Sequence, residues 1–178
     1  MTKATADVKF YAYISSAWVL LDDVQPARIQ RGMSDNQPET RVASVGDLSL
    51  RLNNSSGIYT PGTTAGWKKG IPIKEVFTFE GEEYTKFRGF IEDITLEGKP
   101  AEKIVKITAL DWFDYASKYP VVNPALLEDT TADAAITELL SNMPIQPQAT
   151  DLAVGDIVFD TVFDTVRGNT KAYSEISK

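Results

Sequence analysis

Residues 47–52, DLSLRL, alternate without a break: Leu48, Leu50 and Leu52 point one way, and Asp47, Ser49 and Arg51 the other. A period of two is the pattern of a strand with one buried face. Similar runs rich in β-branched and aromatic residues occur at VKFYAYI (8–14), AWVLLDDV (17–24), ARIQRGM (27–33), PIKEVFTF (72–79), YTKFRGFIEDITLE (84–97) and KIVKITAL (103–110). In 72–79 the same logic puts Ile73, Glu75, Phe77 and Phe79 on one face and Val76 on the other. SDNQPET (34–40), EGEE (80–83) and EGKP (97–100) read as turns, and Gly89 is expected to mark a bulge or bend in its strand. Seven or eight strands within the first 110 residues predict a mainly β chain of the α+β type, with a small barrel or sandwich at its centre.

One stretch breaks the rhythm. After DLSLRL the chain enters NNSSGIYTPGTTAGWKKG, residues 53–70, before strand-like sequence resumes. Loops of this length inside a compact domain are uncommon and usually functional. The run carries Gly57, Gly62, Gly66, Gly70 and Pro61, with Tyr59 and Trp67 as its large aromatic groups. Gly57 and the pair Pro61-Gly62 suit tight turns. Tyr59 and Trp67 suit pinning the excursion to the strands.

Two helices are expected after the strands. DWFDYASK (111–118) offers Asp111 as N-cap and Asp114 near the positive end of the helix dipole. In TTADAAITELLSNMP, the positions Ala132, Ala135, Ile136, Leu139, Leu140 and Met143 make one apolar stripe, predicting an amphipathic helix over 131–143. Thr130 with Asp133 resembles a capping box, and Pro144 ends the helix. Composition shifts near Pro120: residues 1–120 hold 15 Lys and Arg against 16 Asp and Glu, whereas 121–178 hold 3 against 9. The expected domains are therefore 1–120, the β-domain, and 121–178, a linker, the helix and the start of a second domain. The strand-like IVFDTVFDTV and a helix opening near Thr170 complete that second part. The acidic tail predicts that the chain is the N-terminal part of a longer protein, or that the tail packs on a partner.

The chain has no Cys and no His. That excludes a disulfide framework, a thiolate nucleophile, a Cys/His zinc site and a Ser-His-Asp triad. Carboxylate, Lys or Tyr chemistry remains. Asp22/Asp23, Glu82/Glu83 and Glu92/Asp93 are adjacent pairs, and neighbours on a strand face opposite ways. Each pair reads as a solvated turn or edge rather than an acid–base couple. Asp160 and Asp164 share a face if their strand is regular, but they lack the sequence of a calcium loop. GTTAGWKKG (62–70) fails as a phosphate loop: Gly62 to Gly66 is the wrong spacing, Trp67 takes the lysine position, and IPIKE is no helix start. Trp67 with Lys68 and Lys69 has the composition of a base clamp, but the net charge of −7 opposes nucleic-acid binding, and loop anchoring with solvated lysines is the simpler reading. No catalytic, cofactor-binding or metal-binding residue is expected, and no cofactor. No run of eighteen apolar residues exists to cross a membrane, and MTKATADVKF lacks the apolar core of a secretory signal.

The order of motifs resembles the N-terminal region of tail hub proteins of tailed bacteriophages. The matching positions are Trp18; Arg31-Gly32; Leu50, Leu52, Asn53, Gly57, Tyr59 and Pro61; Gly70, Pro72, Ile73 and Val76; Phe87, Gly89, Phe90 and Ile91; and Val105, Ile107, Ala109 and Asp111. The match covers residues 16–118, and the helix beginning near Thr130 also fits. Asn54-Ser55-Ser56 departs from it where the family often carries an acid before the glycine, and the polar run after Gly62 is short. The resemblance implies a tail-tube-like β-barrel with one or two flanking helices and no enzymatic activity. It implies a ring-forming homo-oligomer, typically a trimer, in the virion tail, assembled in the host cytoplasm. Such a ring joins the tail tube or distal tail protein to a fibre or spike, and DNA passes its lumen without specific binding. A distal tail protein or other ring component is the nearest alternative. A carbohydrate-binding module of a tail tip and a carboxylate glycosidase are more distant ones. By the same resemblance, residues 53–70 are expected to reach a neighbouring subunit or an adjacent ring, with Trp67 as anchor.

Overall fold

The computed structural model describes residues 6–32, 44–98, 103–120 and 125–163. The chain divides into two compact units, Met1–Trp112 and Phe113–Lys178. The first holds β1 Ala6–Ile14, β2 Ala17–Leu20, β3 Arg28–Gly32, β4 Ser44–Asn53, β5 Pro72–Phe79, β6 Glu82–Glu97 and β7 Ile104–Asp111. These make one antiparallel sheet of seven strands in the order β2-β1-β5-β6-β7-β4-β3. The chain is thus mainly β, as its alternation predicts. β2 and β3 stand at the two ends of this order among the described residues. The segment between them lies against β4: Val24 bridges to Leu52, and the Gln25 amide donates to the Arg51 carbonyl at 2.7 Å.

Alternation along β4 sets the core. Leu48, Leu50 and Leu52 are fully buried and stand opposite Ala109, Ile107 and Val105 of β7. Phe10, Ala12, Ile73, Phe87 and Ile91 fill the same interior from β1, β5 and β6. Burying each large apolar side chain contributes about 1.5–3 kcal/mol. The hairpin β1–β2 turns through Ser15 and Ser16, with φ of 50° and 66°, and β5–β6 through Glu80 and Gly81, with φ of 52° and 90°. Two successive positive-φ residues match the right-handed twist of paired strands.

β6 departs from regularity at two points. Glu75 pairs with Phe87 and Val76 with Thr85, which leaves Lys86 as an extra residue. Ile91 pairs with Ala109 and Asp93 with Thr108, which does the same for Glu92. The bulges therefore flank Gly89 rather than include it. Gly89 answers a different need: a Cβ there would collide with the Leu110 carbonyl oxygen. β5 itself stays in regular register with β1, and Val76 is buried along with Glu75.

α1, Trp112–Lys118, begins at the limit of the first unit. Asp111, expected as its cap, is the last residue of β7, and its carboxylate accepts the Gly46 amide at 2.7 Å. The second unit contains β8 Leu127–Thr131, α2 Ala132–Ser141 and β9 Val158–Val162, with β8 and β9 paired antiparallel. α2 buries Ala135, Leu139 and Leu140 on its apolar stripe. Its N-cap is Thr131, which makes no side-chain capping bond, so the expected box of Thr130 and Asp133 does not form. Asp133 instead accepts the Gly155 amide at 3.0 Å. Its bonds to the Thr131 side chain and the Gly155 amide hold its carboxyl below the usual range. The turn at 34–40, Asp164 and the helix near Thr170 lie outside the described residues.

Candidate functional site

The excursion after β4 is a chain of tight turns. Gly57 donates to the Asn54 carbonyl, Thr60 to Gly57, Thr63 to Thr60 and Trp67 to Thr64, at 2.9–3.1 Å. Gly57, Gly62, Gly66 and Gly70 all have φ between 80° and 87°, a region other residues enter only with strain. Asn54 is 2 % exposed. Its side chain accepts the Tyr59 amide and donates to Thr60, both at 2.9 Å. The Tyr59 hydroxyl reaches the β2–β3 segment, accepting the Asp22 amide at 3.0 Å and donating to the Asp22 carbonyl at 3.2 Å. Burial raises this phenol's pKa. The Trp67 ring packs 5.5 Å from Tyr59, and its indole N–H donates to the Tyr59 carbonyl at 2.6 Å.

Trp67 is 2 % exposed and belongs to the core of its own chain. The expectation that it anchors a neighbouring subunit is therefore wrong, while the expectation that Tyr59 and Trp67 pin the loop is met. The Tyr59 and Trp67 rings and the Asn54 side chain tie the eighteen-residue loop to the strands of its own chain. The lysines also have a simple place: Lys69 pairs with Asp93, and Lys68 is exposed.

The acidic pairs are not brought together. Asp22 gives its backbone to Tyr59, and Asp23 has a φ of 57°. Glu82 and Glu83 are exposed at the start of β6, and Glu92 is a bulge residue beside the Lys69-bound Asp93. The Lys69 bond holds the Asp93 carboxyl below its ordinary value, with Thr95 adding to the effect. Among the described residues no group of three Asp or Glu side chains is placed to hold a metal ion.

The surfaces suited to recognition lie on the strands. Tyr11 stands opposite both Leu20 and Lys74, Lys74 opposite Arg88, and Tyr13 opposite Trp18. Direct cross-strand partners share a face, so these residues make one cluster on the face opposite Phe10 and Ala12. The Lys74 ammonium lies 4.8 Å from the Trp18 ring centre and 5.1 Å from that of Tyr11, and the Arg88 guanidinium lies 5.2 Å from Trp18. Partial burial lowers the Arg88 pKa, yet an arginine remains a cation. Trp, Tyr and Arg side by side are the residue types that dominate binding interfaces.

A second surface lies at the β5–β6 hairpin end. Among the described residues β7 pairs only with residues 89–97 of β6, so residues 82–88 continue as a ribbon with β5 and β1. Val8 pairs with Phe77, and Phe77 with Tyr84, which puts their side chains on the face that elsewhere forms the core. Here that face is open: Val8, Phe79 and Tyr84 are 46, 40 and 47 % exposed. Phe77 and Phe79 stack at 6.4 Å, and Lys86 sits over Phe77 and Tyr84. Sequence alternation identifies this face but carries no signal that it runs out past the core. The second unit likewise exposes Leu126, Val154, Ile157, Val158 and Phe159 by more than two fifths.

No family model matches the chain, and no curated protein matches it in sequence. Solved structures share its fold. The 43 kDa tail protein of prophage MuSo2 from Shewanella oneidensis superposes with a TM-score of 0.57 at 11 % identity, over 97 % of this chain and 48 % of that one. A tail protein from Neisseria meningitidis MC58 superposes with a TM-score of 0.53 at 8 % identity, over 95 % of this chain and 43 % of that one. This chain therefore spans less than half the length of either structure, and nearly all of it has the fold of a part of these tail proteins.

Proposed function

We propose that the chain is a structural, non-enzymatic component of a phage-type tail, acting as a baseplate or tail-tip hub module. The observation that carries this reading is the shared fold with two tail proteins over at least 95 % of the chain. The order of motifs across 16–118, which resembles tail hub proteins, points the same way. In this reading copies of the chain associate into a ring, a trimer, through the Trp18–Lys74–Arg88 face and the open hairpin end. Exposed aromatic patches of this kind mark interaction sites. The ring joins the tail tube to a fibre or spike within the virion, and DNA passes its lumen without specific contacts. A negative net charge of −7 suits a conduit that does not hold phosphates.

Native mass spectrometry and negative-stain microscopy of the purified chain, alone and with candidate neighbours, test the proposal. A closed ring of three copies supports the hub role. A ring of another number favours the distal tail protein or another ring component. A monomer that joins no tail component sinks the reading.

A further inference from the structure

Within the first unit a groove of about 480 Å³ is lined by Val8 and Phe10 of β1, residues 24–27 of the β2–β3 segment, Ile29 of β3 and Glu75 of β5. It lies where the sheet's pairing stops. β2 pairs only with residues 11–14 of β1, so residues 6–9 have β5 on one side and no strand on the other among the described residues. β3 pairs with β4 alone among the described residues. Two strand edges with no paired strand among the described residues thus border one apolar recess.

The recess contains a carboxylate. Glu75 is 9 % exposed and stands between Phe10 and Phe87 on the adjoining strands. Its Oε2 is buried and has no hydrogen-bond partner. Burial raises its pKa, while the charges of Arg31 and Lys86 act the other way. A buried carboxylate oxygen without a partner costs more than the bond it lacks, and a chain that kept it only for packing would do better with an apolar residue.

We propose that this groove binds an extended polypeptide segment of a partner, which places a Lys or Arg side chain on Glu75 between apolar neighbours. The carboxylate calls for a cationic donor, and a charge-assisted bond in an apolar setting is a strong one. The apolar walls call for hydrophobic side chains flanking that cation. The unpaired edges favour a strand over a small amine, because added strands bind through main-chain hydrogen bonds and draw specificity from alternate side chains. The volume is in the range of small binding pockets and takes a few side chains, not a folded element. Such binding does not depend on the tail reading.

The test is selection of a random displayed heptapeptide library on the immobilised full chain, with synthetic peptides of the selected sequences then titrated in solution. Enrichment of peptides with Lys or Arg flanked by apolar residues is expected. Replacing that cation with Met should weaken binding at least tenfold, and Glu75→Gln should abolish the difference while the chain stays folded. Ala27→Trp, which fills the groove mouth from an exposed position, should block binding without touching the core. Absence of basic enrichment overturns the proposal. So does enrichment that survives both variants, or n-butylammonium binding as tightly as the peptides.

Discussion

The loop at 53–70 and the β5–β6 hairpin end invert each other. The loop is polar in composition, yet it buries Asn54, Tyr59 and Trp67. The hairpin end is written as apolar strand, yet it leaves Val8, Phe79 and Tyr84 open. Alternation tells which side chains share a face, and it says nothing about whether anything covers that face. Coverage depends on where a neighbouring strand stops, and β7 stops short of the hairpin end. Two aromatic groups and one amide give the loop a fixed place that its average composition conceals.

The difference can be broken most directly by truncation on each side. Trp67→Ala should lower stability by about 3–5 kcal/mol, because it empties a core position and orphans the Tyr59 carbonyl. Phe79→Ala, removing a ring of similar apolar character, should cost no more than about 1 kcal/mol, since that ring is 40 % exposed. Urea unfolding of both variants gives the comparison. Equal losses would show that the two regions are not opposites. If the hairpin end is an assembly surface, Phe79→Ala should still reduce the oligomer mass seen by native mass spectrometry.

Asn54→Ala sharpens the loop side. It leaves the Tyr59 amide without its acceptor in a buried setting, at a cost of about 1–3 kcal/mol. Chemical denaturation and amide exchange at Tyr59 and Thr60 read it. A loss below experimental error would mean the turns hold the loop without the side chain.

Glu75 lies where the covered and open parts of the inner face meet, and its effect depends on pH. Its carboxyl titrates above the ordinary value of 4.5 in the folded chain, with burial as the leading cause. A group raised on folding stabilises below its unfolded pKa, and that contribution is lost as pH rises through its folded pKa. The wild type should therefore lose stability relative to Glu75→Gln as pH rises above about 4.5, and at neutral pH the variant should be at least as stable. Melting temperatures from pH 3.5 to 7.5 check the sign, and a pH-independent gap would contradict it.

The smallest effect is expected at the β1–β2 turn. Ser16 sits at a φ of 66°, so Ser16→Gly should raise stability by about 0.5 kcal/mol without altering either region. A loss there would mean that the Ser16 side chain carries a contact worth more than the strain.

Strand identity is largely legible in the sequence. PIKEVFTF matches β5 residue for residue, and the DLSLRL leucines are core because their period is unbroken. β8 is not legible: LEDTT has two acids and no alternation, and it becomes a strand only by pairing with β9 far along the chain. Gly89 reads as a bulge because a glycine in a strand permits either reading, and only the Leu110 backbone beside it decides. Alternation places Glu75 on the correct face among Ile73 and Phe77, but the bare edge that makes its burial consequential comes from pairing, which local pattern does not encode. The Trp67 assignment fails for a related reason. A large aromatic in a polar run suits an interface or an interior equally, and the burial of Trp67 against Tyr59, with its hydrogen bond to the Tyr59 carbonyl, resolves it.

The length of β6 has a mechanical consequence. Its 16 residues run from the hairpin tip into the middle of the sheet, a rod of about 50 Å held by β5 along its first half and by β7 along its second. A pull on the tip along the strand loads these backbone bonds together, in shear, rather than unzipping them one by one. The same pull on β2, four residues at a sheet edge, meets only a short ladder. Tension applied at the hairpin is thus carried through β7 to the leucines of β4 before any strand peels away, whereas tension applied at β2 is spent at the edge.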